Sequence, residues 1–423
     1  MGDIVSAHVN AGENTEGQPA SADTATPSSV LLLTPLWGRD GGVAAHVKES
    51  AAALARHGVD VQVLTARITS GEDVPGVSVH HRPQLVDSSI SVAERLGEPL
   101  AGTPDVTHIH QLDDLAIVEA IRLRTPVVIS AHGFPGCTSG VYYFAPGREC
   151  TRAHGPGCIP NLLVRGCAHT RYPRTLPSKY RQVTRGLAMF RLADLVVSYS
   201  TAVDRHLATN GLARRAVIPY FPTMAVREGS GHASRRRVVF AGRLVHTKGI
   251  DILIRAAAEV NGEFVICGDG RREEKLRSLT RRLGVDGRVR FRGWTNADEL
   301  AEEFANASVV VVPSLWPEPF GIVGIEALAA GRPAIGSATG GILDWLQDGV
   351  SGITVAPGDV AALARALQRL LDDPERQRKM GMAGKAFVAA RFSPERHVAT
   401  LLDAYATARS TWRSQRGQAR QAA

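Results

Sequence analysis

Two glutamates, Glu318 and Glu326, stand eight positions apart in WPEPFGIVGIEALAAGRP, residues 316–333, with scarcely a polar side chain between them. The run ASVVVVPS just upstream is β-branched and reads as a buried strand. Pro317 and Pro319 make a stiff connection around Glu318, and FGIVGIEALAAG then reads as a helix stopped by Gly331. The amides of Phe320, Gly321, Ile322 and Val323 are then free at a helix N-terminus, which suits an anion. Glycines at 321 and 324 would let a ligand approach the backbone closely. Glu326, about a turn and a half into the helix, has the two oxygens needed to accept both hydroxyls of a ribose. Glu318, outside the helix, could hold hydroxyls of a second sugar. Two acids that merely complement the helix dipole would account for Glu318, but poorly for Glu326 and the bare amide run.

A second candidate is AGRLVHTKG, residues 241–249, a loop between a strand and a helix pattern that carries Arg243 and Lys248. Two cations beside a helix N-terminus would suit a diphosphate, although an ordinary solvated basic loop would look the same. His132 follows a strand pattern in VVISAHG, where it could reach a ligand or simply satisfy a structural hydrogen bond. Asp113-Asp114 and Asp372-Asp373 read as helix-end acids, and no metal site is expected from them.

The elements that must position these residues alternate regularly. SSVLLLTPL, the glycine loop GRDGG, VAAHVKESAAALARHG and VDVQVLTAR read as strand, loop, helix and strand. VTHIH, DLAIVEAIRLR, PVVISAHG, ADLVVSYS and RAVIPYFP continue the first unit, and REGSGHASRRR reads as a linker. A second unit of the same kind runs from RRVVFAGRL through GITVAP and two following helices. The expected fold is therefore α/β, two doubly wound parallel units with a cleft between them. The expected divisions are a tail at 1–27, an N-terminal unit at 28–225 and a C-terminal unit at 226–394. Residues 395–423 should form a last helix that packs back on the first unit and ends in a frayed basic tail. The loops at Gly41-Gly42, Arg243–Gly249 and Glu318 all follow the carboxyl ends of strands, where such sheets bind ligands.

Together, the Glu318–Glu326 spacing, AGRLVHTKG, the CGDG turn at 267–270 and the Arg292-Gly293-Trp294 turn resemble retaining GT-B glycosyltransferases. More narrowly they are similar to the family 4 nucleotide-sugar transferases, over residues 28–407 and most densely in the second half. That resemblance implies two Rossmann-like domains facing across a cleft, with the C-terminal one holding a UDP- or GDP-linked sugar as co-substrate and no cofactor or metal. It implies Glu326 on the ribose, Glu318 on the hexose, and Arg243 and Lys248 on the diphosphate. It further implies Trp294 against the base, Gly42 near the phosphates and His132 near the transferred sugar. The implied activity is transfer of a hexosyl group to an acceptor hydroxyl with retention. The acceptor could be a glycoconjugate, a lipid-linked molecule or a small natural product. A same-fold epimerase or phosphorylase, or a non-catalytic nucleotide-sugar binder, remains the alternative. Two features depart from the family pattern: Asp344 stands where a glutamate is common, and a Cys- and Arg-rich insertion occupies 137–185.

Composition narrows the partners. The 423 residues carry a net charge of +8, but only six lysines, so the basic balance reads as an arginine coding bias rather than a nucleic-acid surface. The cations crowd 148–185, which suggests an anionic acceptor or contact with a membrane surface, or else a solvated loop. Cys137, Cys150, Cys158 and Cys167 lack the tight pairs of zinc motifs and read as reduced thiols before a metal site. The first 27 residues resemble neither a secretion signal nor a transit peptide, and the expected location is cytoplasmic, with membrane association through the basic segment.

Overall fold

The computed structural model describes residues 26–39, 41–69, 73–97, 103–137, 143–145, 148–164, 176–225 and 236–421. Among these residues nine strands lie in the first half: β1 Ser29–Trp37, β2 Asp60–Ile68, β3 Val77–His81, β4 Val106–His110, β5 Val127–Ala131, β6 Tyr143–Ala145, β7 Arg148–Glu149, β8 Leu195–Ser198 and β9 Arg215–Val217. All but β6 and β7 form one sheet ordered β3-β2-β1-β4-β5-β8-β9, every pair parallel. The second half supplies β10 Arg237–Ala241, β11 Glu263–Cys267, β12 Val289–Gly293, β13 Val309–Val312, β14 Ala334–Ser337 and β15 Gly352–Val355. Their order, β12-β11-β10-β13-β14-β15, again parallel, is that of a doubly wound Rossmann-like sheet. Two Rossmann-like domains therefore make up the chain.

The strands are buried on both faces because helices cover both: every residue of β4, β5, β8, β13 and β14 is buried. One apolar cluster covers a face of the first sheet through Val30, Leu32 and Val197. It then continues across the domain boundary through Tyr199, Tyr220, Phe320, Ile325 and Trp345. The two domains thus share a core at their junction.

The last helix, Pro394–Gln421, belongs to the first domain by its contacts. Val398, Leu401 and Tyr405 join the same cluster, and Arg409 pairs with Asp105 at 3.3 Å. Trp412 Nε1 donates to the carbonyl of Arg122 at 2.8 Å, and Arg416 to that of Leu123 at 2.5 Å. Those bonds explain why the basic end, expected to fray, stays helical to Gln421.

Other expectations need correction. RAVIPYFP pairs only over Arg215–Val217, because Pro219 and Pro222 have no N–H to give a ladder. The remainder becomes a strap between domains. The strand Val77–His81 and the helix Thr201–Thr209 were not anticipated, nor was the short helix Val92–Leu96. The last carries a complete capping box between Ser91 and Glu94. In the 137–185 insertion the described residues form the β6–β7 ribbon and helices Cys158–Val164 and Leu176–Leu192.

Candidate active site

Lys248 and Glu318 are brought together, although seventy positions separate them. Lys248 sits at the end of a short 3-10 turn, His246–Lys248, after β10. Gly249 follows in the left-handed region at φ 67°, where a Cβ would fall 1.9 Å from the carbonyl oxygen of Pro313. Only glycine permits this approach of the two loops, and Leu315 N–H closes it by donating to the Thr247 carbonyl at 2.8 Å. Lys248 Nζ then reaches Glu318 Oε1 at 2.7 Å. Ser314 Oγ and Trp316 Nε1 donate to the same oxygen at 2.5 and 3.2 Å. The Glu318 carboxylate is buried and held from three directions through one oxygen, with Oε2 outside this set. Arg243 is exposed on the same loop.

The loop ends of β10, β11 and β12 are knitted together. Gly242 N–H donates to Cys267 O at 3.0 Å, Leu244 N–H to Asp269 O at 2.6 Å and Gly268 N–H to Gly293 O at 2.7 Å. Trp294 follows this knot with its side chain 55% exposed, free to meet a flat ligand. Arg292 is pinned at 3.0 Å to Glu303, which also pairs with Arg237 and Arg290.

The helix after Glu318 runs Ile322–Ala329 and has Gly321 at its N-cap, φ 89°, with no side-chain cap. Its first amides therefore lack the acceptor a capping side chain would supply. Phe320 is buried against Tyr220 and Phe392, so this residue can offer a ligand only its backbone. Gly42, the first residue of the helix Gly42–Arg56, faces this terminus: a Cβ there would lie 3.4 Å from Ile322 Cδ1. The two helix N-termini thus meet across the cleft.

Gly324 has a different duty from the one expected. A Cβ at this position would lie 2.0 Å from Cη2 of the fully buried Trp345, whose Nε1 donates to Phe320 O at 2.7 Å. Its missing side chain makes room for an indole, not a ligand.

Glu326 is buried, and its Oε1 accepts from Thr223 Oγ1 at 3.0 Å. Burial pushes its pKa up to about 7, against the pull of hydrogen bonds from the Thr223 hydroxyl and amide. Asp344 bridges the domains. Its two oxygens accept from Thr201 N–H at 2.7 Å and Thr201 Oγ1 at 2.6 Å, at the start of helix Thr201–Thr209. Burial raises its pKa, and the two Thr201 bonds lower it.

His132 is not a lone residue. Its Nε2 bonds His110 Nδ1 at 3.0 Å and its Nδ1 bonds the Tyr220 hydroxyl at 2.7 Å. Both ring nitrogens are already engaged, and the ring stacks on Tyr199 at 4.8 Å. Behind it His108 joins Tyr405 and Ser130, each at 2.8 Å, and Ser130 joins Tyr199 at 2.7 Å. His46 and His397 complete the cluster, ring centroids 5.0 Å apart. Burial depresses the pKa of every one of these histidines; neighbouring imidazoles add to the effect at His46, His108, His110 and His132, while at His397 the bond to Pro219 O works against it. The sequence held one signal for this: His108 and His110 alternate in a strand with no exposed face.

Cys150 and Cys158 are free thiols, while Cys167 lies outside the described residues. Among the described residues no helix is long and apolar enough to cross a membrane.

Residues 226–387 match the family described as "Glycosyl transferases group 1", and residues 40–220 match "Glycosyltransferase Family 4". A D-inositol 3-phosphate glycosyltransferase of Arthrobacter sp. (strain FB24) is 30% identical over 407 residues, covering 88% of this chain and 91% of that protein. The chain belongs to the group 1 GT-B glycosyltransferases. Two solved structures share the fold of this glycosyltransferase. Sucrose-phosphate synthase from Thermosynechococcus elongatus has a TM-score of 0.68 at 22% identity, covering 88% of this chain and 97% of the other. Anabaena HepE in complex with UDP-glucose has a TM-score of 0.62 at 18% identity, covering 88% and 99%.

Proposed function

We propose that this glycosyltransferase moves a hexosyl group from a nucleoside-diphosphate sugar to an acceptor hydroxyl with retention of anomeric configuration. The observation that carries the reading is the pairing of half-buried Lys248 with buried Glu318, set beside an uncapped helix N-terminus at the carboxyl ends of the second sheet. Departure of a sugar diphosphate builds negative charge on the leaving phosphate and positive character on the sugar ring. Lys248, Arg243 and the amides at 321–323 are the groups that would meet the phosphate charge. Glu318 would hold hydroxyls of the hexose, Glu326 those of the ribose, and Trp294 would lie against the base. Gly42 would bring amides of the first domain to the phosphates. Because His132 has both ring nitrogens engaged, it would meet the transferred sugar by its ring edge or backbone, or by exchanging one of those bonds. UDP-glucose in HepE and the phosphorylated acceptor in the name of the Arthrobacter relative support a uridine-linked donor and an anionic polyol acceptor. Exposed Arg152, Arg181 and Arg185 in the first domain suit such an acceptor.

The test is transfer from UDP-, GDP-, ADP- and dTDP-hexoses to inositol phosphates and other hydroxyl acceptors, with the product anomer read by NMR. Lys248→Ala and Glu318→Gln should each lower kcat by about a hundredfold or more, the usual loss when a preorganised charge contact is removed. An inverted product refutes the retaining assignment. Undiminished transfer by both variants removes the pair from the chemistry.

A further inference from the structure

The strap between the domains reaches into both halves of the site. Ile218, Tyr220 and Phe221 are buried. Pro219 O accepts from His397 Nδ1 at 2.8 Å, Tyr220 stacks on Tyr199 at 4.0 Å, and Phe221 packs edge-on against His397. These contacts fix residues 219–221 to the first domain and its terminal helix. Pro222 then restricts the backbone, and the next residue, Thr223, bonds Glu326 of the second domain through its hydroxyl and its amide.

We propose that Thr223 is a positioning residue of the donor site, holding the Glu326 carboxylate in the orientation in which it receives the nucleotide ribose. The inference rests on the ribose reading of Glu326 given above. A ribose diol presents two donors, and a carboxylate offers two oxygens with about four lone-pair sites between them. The Thr223 hydroxyl takes one site on Oε1 and its amide a second site on the carboxylate, which leaves acceptor capacity for both hydroxyls. A protonated carboxyl would turn one of those acceptors into a donor. Thr223 therefore acts twice, by fixing the rotamer and by favouring the charged form against burial. Since the strap is also bonded to His132 through Tyr220, donor placement and the floor of the first domain share one rigid segment.

The experiment measures dissociation constants by calorimetry from pH 6.5 to 8.5. Its probe is whichever of UDP, GDP and ADP binds the wild-type protein tightest, together with its 2′-deoxy counterpart. Phosphate ionisation is common to all the proteins and cancels in the ratio of their constants. Loss of one hydrogen bond raises a carboxylate pKa by about one unit. With Glu326 starting at about 7, Thr223→Val should bind about fivefold more weakly at pH 7 and less than twofold more weakly at pH 8.5. Thr223→Ser should keep the wild-type profile, and Thr223→Ala replaces the valine variant if that one does not fold. Equal weakening at every pH, or no weakening, overturns the proposal while leaving the ribose reading intact. Equal binding of the ribo and 2′-deoxy probes by wild type refutes the ribose reading, and the proposal falls with it.

Discussion

Acid should unfold this glycosyltransferase from its first domain, and His397→Gln should blunt the effect. His397 and His110 have their pKa values lowered to about 4 and about 3 by burial, with further repulsion from neighbouring imidazoles at His110. In an unfolded chain both titrate near 6.5, so between those limits the unfolded state binds more protons. The stability they protect is therefore whole above pH 6.5 and is lost as pH falls toward the folded values. From pH 7.5 to 5.0 each histidine costs about 2 kcal/mol, or about 4 kcal/mol for the two. His46, His108 and His132 are shifted the same way and add to it. Against a domain stability of roughly 5–15 kcal/mol, that brings the fold near its limit. The assay is urea unfolding at pH 7.5 and 5.0, followed by circular dichroism and fluorescence. His397→Gln keeps a side-chain donor for Pro219 O but removes one titration, so its loss between the two pH values should be smaller by about 2 kcal/mol. Protonation of surface carboxylates affects both proteins alike and drops out of that difference. If wild type and variant lose the same stability, the cluster is not what titrates, and the reasoning is refuted.

Two further substitutions probe how the loops around Glu318 and Asp344 are held. Gly324→Ala drives a methyl group into the Trp345 ring, fully buried and bonded to Phe320 O. It should destabilise the second domain by about 1–3 kcal/mol, read as a lower melting temperature, and unchanged melting would show that the indole can yield. Asp344→Ala removes both bonds to Thr201 at the interdomain contact. The cost should be about 1 kcal/mol, as for a lost helix cap. Calorimetry is the readout, and no change would mean that the contact is made only at the expense of water.

Much of the second domain was legible because its signals are local. Strands such as Val309–Val312 are uninterrupted β-branched runs, and the helix Val360–Leu371 has a clear apolar face with Asp359 as its cap. The Lys248 and Glu318 loops could be marked as candidates, since both follow strand ends. Their direct pairing could not be read, because it depends on Gly249 letting two loops touch. Gly324 shows the limit of the same reasoning. A glycine near a helix start reads as room for a ligand until the partner across the gap is known, and here that partner is Trp345, beyond the next strand. The histidine cluster was illegible for a similar reason. Its members come from β4, the turn just after β5, the first helix and the terminal helix, so only the tertiary fold assembles them. RAVIPYFP misled because its apolar content suits a strand while its prolines forbid the ladder; what the prolines build instead is the strap.

The neutral state of that cluster bears on the proposed chemistry. A departing nucleoside diphosphate needs positive potential at its phosphates and none added at the sugar carbon, where positive character develops. In this protein Arg243, Lys248 and the bare helix amides belong to the second domain, beside the expected diphosphate site. The first domain contributes His132, whose pKa burial and the His110 imidazole both lower. An exposed imidazole would be half charged near pH 6.5, and its charge would oppose the reacting carbon. Burial makes all five imidazoles harder to protonate, and repulsion from neighbouring imidazoles adds to it at His46, His108, His110 and His132. The cluster thus keeps a polar, hydrogen-bonding floor without charge, and field strength is left to the groups that face the leaving group.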